Sequence, residues 1–74
     1  MQSKVLNFQP YQRRVVVEAF DLQEKTDKLK TFLTTPQFQS LDEAEQNRLR
    51  VQLTEMEGYL AMLDQRLAAF ETQR

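Results

Sequence analysis

The stretch TTPQFQS, residues 34–40, decides the fold. Pro36 disfavours the helical region for the residue before it, so Thr35 must leave helical geometry. Periodic apolar residues stand on both sides of this break. A helix before it and a helix after it, joined by so short a connection, must lie antiparallel. Phe38 is the one large apolar side chain in the stretch, and it reads as a buried plug that holds the connection down. Ser40 with Glu43 matches a capping box and predicts where the second helix starts.

Working outward, the first helix is expected from about Pro10 to about Leu33. Proline suits a first helical position because its fixed φ fits and its missing N–H is not needed there. Val15, Ala19, Leu22, Thr26, Leu29 and Leu33 are spaced alternately four and three apart, which is a coiled-coil seam. The second helix is expected from about Leu41 to about Glu71. Leu49, Leu53, Met56, Leu60, Leu63, Leu67 and Phe70 repeat the same alternation. Two facing seams predict an all-α chain, an antiparallel two-helix hairpin with a short N-terminal segment, forming a single domain over residues 1–74.

Two features exceed a free hairpin. At 1.5 Å per residue the expected helices are roughly 35 and 46 Å long, so the second overhangs by roughly 10 Å. Val5, Leu6 and Phe8 of the N-terminal segment are placed to cover part of it. Val16, Val17, Phe20 and Phe32 on the first helix, and Val51, Tyr59 and Met62 on the second, lie off the seams. A two-helix hairpin cannot bury that second face. A chain of 74 residues without Cys is also marginal as a monomer. Both points predict assembly into an oligomeric helical bundle.

Composition narrows the function. Lys and Arg number 10 against 11 Asp and Glu, for a net charge of −1. That balance speaks against DNA or RNA as the partner, since nucleic-acid binding domains are strongly basic. No apolar run reaches the ~20 residues of a membrane span, and no signal peptide is evident. With no His and no Cys, a structural zinc site is not expected, nor is any cofactor. An enzyme is not expected either, because His, Cys and a glycine-rich phosphate loop are all missing. Asp42, Glu43 and Glu45 read as an acidic first turn that the helix dipole favours, and Glu24 with Lys28 has ordinary i,i+4 spacing.

One local anomaly points to a ligand. Arg13 and Arg14 stand in the first turn of the first helix, where the macrodipole disfavours cations. Tyr11 beside them offers a flat stacking face and a hydroxyl. Arg14 can fork onto phosphate oxygens, and Lys25 and Lys28 can act as point charges. Tyr11 and Lys25 are 14 residues apart. At about 100° per residue that is four turns less about 40°, so both line one flank of the helix. They are roughly 21 Å apart along the axis. If they share one small ligand, two antiparallel protomers must supply one each. The other reading, that Tyr11 packs as a core residue and the cations are solvated, stays open from composition alone. Mid-helix Gly58 costs about 1 kcal/mol relative to Ala. It marks either a close approach of a helix or ligand, or a kink.

The ordered motifs add a resemblance. P-Y-Q-x-R-V-V-x-E, L-x-E-K-x-x-K-L-x-x-F-L, F-x-x-L and E-x-x-R-L-x-x-Q-L-x-x-M-x-x-Y-x-x-M-L-x-x-R-L-x-x-F follow one another over about residues 9 to 70. This order resembles a helical hairpin family of small phage proteins, shared by an anti-CBASS protein and the N-terminal part of an anti-Thoeris protein. The resemblance implies a sponge that sequesters cyclic di- or trinucleotide immune messengers without cleaving them, and so blocks CBASS-type signalling. It implies homohexamers built as trimers of dimers, working in the cytoplasm of the infected bacterial host. It places the cyclic dinucleotide between protomers, against a tyrosine and a lysine that Tyr11 and Lys25 match by type and approximate spacing. Arg14 and Lys28 are the further cyclic-nucleotide candidates, and Arg66 is the candidate for a separate trinucleotide site. The alternative function is a helical hairpin that binds a phage or host protein and takes no nucleotide.

Overall fold

A computed structural model describes residues 8–72. Three helices follow one another: α1 over Pro10–Phe32, the single turn α2 over Pro36–Gln39, and α3 over Glu43–Thr72. α1 and α3 pack against each other along an elongated body of 50 × 20 × 16 Å. They run antiparallel. Tyr11 at the start of α1 meets Phe70 at the end of α3, while Phe32 at the end of α1 meets Phe38 in the connection.

The start of α1 carries Pro10 in its first turn, as the sequence suggests, and no acidic residue there. The Gln9 N–H donates to the Gln12 Oε1 at 2.8 Å, which satisfies a donor just ahead of the helix. At the other end the Thr35 hydroxyl donates to the Phe32 carbonyl at 2.6 Å. Thr35 then turns extended, with φ −96° and ψ 156°, as the following proline requires.

The connection is more ordered than a loop. Thr35 accepts from the Phe38 N–H through its hydroxyl and so caps the turn α2. Phe38 is buried, edge-on to Phe32, with the Arg50 guanidinium 5.2 Å from its ring centroid. The expected capping box of Ser40 and Glu43 does not form. Ser40 donates instead to the Gln37 carbonyl at 2.7 Å. Asp42 is the residue that caps α3, its Oδ1 accepting from the Glu45 N–H at 2.8 Å. The physical reason is that Ser40 is still αR at the end of α2, so its side chain serves the helix behind it. Gln46 closes the corner: its Nε2 lies 3.0–3.2 Å from the carbonyls of Phe38, Gln39 and Leu41.

The core is a narrow strip. Val15, Ala19, Leu60 and Leu63 are buried, with Leu22, Leu67 and Phe70 packed against them. Thr26 is buried too, and its hydroxyl donates to the Leu22 carbonyl at 2.7 Å. Every residue of both seams is buried or half-buried. The helices differ in length, 23 residues against 30. Phe8 packs edge-on against Phe70 at 5.7 Å and covers part of that excess. Val5 and Leu6 lie outside the described residues.

The second apolar face remains open. Phe20 is 71% exposed, Val17 59%, Val51 56% and Met62 51%. No helix among the described residues is long and apolar enough to cross a membrane.

Candidate ligand groove

On α1, residues 14, 18, 21 and 25 are spaced four, three and four, so their side chains form one stripe along the helix. Residues 13, 17 and 22 flank that stripe. Tyr59 comes over from α3. Together Arg13, Arg14, Val17, Glu18, Asp21, Leu22, Lys25 and Tyr59 line an open groove of about 640 Å³. That volume is in the range of small-molecule sites, roughly 300–1,000 Å³.

The groove has an apolar floor of Val17 and Leu22 and an aromatic wall, Tyr59, which is 46% exposed. Charge is distributed in order along its length. Arg14 stands towards one end and Lys25 towards the other, roughly 16 Å apart along α1. Glu18 and Asp21 lie between them. The Tyr59 hydroxyl donates to the Glu18 carboxylate across the two helices. That hydrogen bond, with a smaller contribution from desolvation and the Glu18 charge, holds the Tyr59 phenol above its ordinary value, while Arg66 works in the opposite direction. Such an arrangement sets cations at its ends and hydrogen-bond acceptors at its centre.

The four candidates from the sequence separate here. Arg14 and Lys25 line one groove. Tyr11 does not line it. Its ring packs edge-on to Phe70 at 5.9 Å, yet the residue keeps 48% exposure. Lys28 is exposed one turn beyond Lys25 and lies outside the groove lining. Arg66 is exposed on α3, two turns after Tyr59, and its charge reaches that phenol. The separation of Tyr11 from Lys25 along α1 stays too great for one small ligand within one chain.

Sequence reasoning did not include Glu18, Asp21 or Tyr59 among the binding residues. Tyr59 stood out only as an off-seam aromatic beside Gly58. The signal that finds the acids is the four-three-four stripe shared with Arg14 and Lys25, but only the packing of α3 on α1 brings Tyr59 to it. Gly58 itself is exposed, with nothing within 4 Å of where a Cβ would stand. No close approach among the described residues requires it.

Fold and groove together define a small antiparallel helical hairpin with an open, mixed-charge groove along it. The chain belongs to the Sequestin family, whose model matches residues 9–69. That span is the one on which the likeness to the phage anti-CBASS and anti-Thoeris hairpins rests. The family's name points to sequestering of a signalling molecule, a binding role rather than catalysis. No curated protein and no solved structure matches the chain significantly.

Proposed function

We propose that this chain is a phage-encoded sponge for cyclic di- or trinucleotide immune messengers, which it holds without cleaving and so withholds from CBASS-type effectors in the cytoplasm of the infected bacterium. The observation that carries the reading is the groove, which sets Arg14 and Lys25 over an apolar floor beside an aromatic ring. Phosphates suit the cations, and base faces suit Tyr59 and Val17. Membership of the Sequestin family supports the same role.

In this reading the site is completed between chains. Lys25 and Arg14 of one protomer hold the phosphates, and the half-exposed Tyr11 of an antiparallel partner supplies a second stacking face. Lys28 adds long-range attraction. The exposed Phe20, Val51 and Met62 are covered by further copies, in a hexamer built from dimers.

Thermal unfolding against a panel of cyclic dinucleotides and trinucleotides tests this. A ligand at 100 times its Kd adds about 2.7 kcal/mol of stability. For a chain of this size that is a rise in Tm of roughly 10–20 °C. Heat denaturation of the complex then returns the ligand chemically intact if the protein is a sponge. No shift with any cyclic nucleotide favours the alternative, a protein-binding hairpin whose exposed apolar face docks on a phage or host partner.

A further inference from the structure

The groove contains a contradiction for a pure anion site. Glu18 and Asp21 stand midway between Arg14 and Lys25, where they repel any phosphate that lies along the floor. Glu18 is exposed but anchored. Tyr59 reaches across from α3 to donate to its carboxylate, so its position is set by both helices. A carboxylate offers about four lone-pair sites, and the tyrosine uses one. The rest point to a ligand that brings N–H donors as well as negative charge.

We propose that Glu18, held in place by Tyr59, accepts hydrogen bonds from the Watson–Crick edge of a guanine, making the groove selective for guanine-bearing cyclic nucleotides; this rests on the cyclic-nucleotide reading of the groove. Guanine presents two adjacent, parallel donors, N1–H and N2–H, which match the two oxygens of a carboxylate. Adenine presents only its N6 amino group on that edge, beside the acceptor N1. Uracil presents one N–H between two carbonyls, which face a carboxylate with like partial charge. The phosphates then lie outward, towards Arg14 and Lys25, away from the acids. Asp21, one turn from Glu18, adds negative potential that raises the same preference.

Titration calorimetry with cyclic di-GMP, cyclic di-AMP and cyclic di-UMP tests the assignment on the full chain. The expected order places cyclic di-GMP first, with a ratio of about 10- to 100-fold over cyclic di-UMP, the range for hydrogen bonds to a charged group. Glu18→Gln replaces one acceptor oxygen by an NH₂ group that faces a guanine donor. It should collapse that ratio towards one, and circular dichroism should show the helices unchanged. Tyr59→Phe should narrow the ratio as well, because the carboxylate is then no longer held. Equal affinity of the wild type for all three ligands overturns the guanine assignment and leaves the sponge reading standing. An equal change for all three ligands in Glu18→Gln also overturns it, since Glu18 would then act on charge alone. Binding of none of the three, or of any other cyclic nucleotide, overturns both readings together.

Discussion

Leu63 is fully buried between the helices, and no other leucine in the chain is so enclosed among the described residues. Truncating it removes contacts that a two-helix core cannot remake. Leu63→Ala should cost about 2–5 kcal/mol, read as a fall in the denaturant midpoint. Exposed Glu24→Ala should leave that midpoint within about 0.5 kcal/mol. Tyr59 gives a residue-scale test of a different kind. Its pKa lies above the ordinary value because the hydroxyl bonds Glu18. The folded chain therefore holds this proton to higher pH than the unfolded chain does. Stability from the contact is fully present below about pH 10 and is lost as pH rises through the folded value. In Glu18→Gln the phenolate absorbance should appear at lower pH than in the wild type. Identical phenolate titrations in the two proteins would remove the Tyr59–Glu18 contact. The seam residues were legible one by one in the sequence, because burial follows a fixed spacing. The Tyr59–Glu18 contact was not, because 41 residues separate the partners.

At the scale of the elements, the turn is the instructive part. Pro36, Thr35 and the Phe38 plug follow from local chemistry and stand where expected. The start of α3 does not, because two capping residues compete within three positions. The backbone at Ser40 is αR, so Asp42 takes the cap. Asp42→Ala should cost about 0.5–2 kcal/mol, and Ser40→Ala clearly less, by thermal unfolding. The reverse order would restore Ser40 as the cap. Gly58 supplies the opposite sign. It sits in a continuous helix with open space at its Cβ position. Gly58→Ala should stabilise the isolated chain by roughly 0.5–1 kcal/mol through helix propensity. If the variant is instead destabilised, or the assembly dissociates, another copy packs on that backbone, and the reason for the glycine lies between chains.

At the scale of the whole molecule, the core is a strip, and Val17, Phe20, Val51 and Met62 stand exposed outside it. Phe20 alone exposes most of its ring. Phe20 and Val17, one turn apart on α1, leave apolar area in water that a further copy would cover. Light scattering at micromolar concentration should therefore return a multimer. Phe20→Glu should lower its mass while helicity survives. A wild-type mass of 8.8 kDa would remove the shared pocket of Tyr11 and Lys25 along with the hexamer.

What the sequence by itself determined is the hairpin: two heptad seams and one proline break set the element type, the antiparallel order and the buried residues. Those are local properties, because helical periodicity and turn chemistry act over a few residues. It also marked Tyr11, Arg14, Lys25 and Lys28 as candidates, since residue type and spacing along one helix are visible in one dimension. Only the tertiary structure decided that Glu18, Asp21 and Tyr59 share the groove with Arg14 and Lys25, and that Tyr11 and Lys28 stand outside it. The rotation of α3 about its own axis sets which of its off-seam residues meets α1, and the seam spacing alone does not choose it. The packing of Leu60 and Leu63 into the strip of Val15 and Ala19 fixes that rotation, and with it the place of Tyr59 against Glu18.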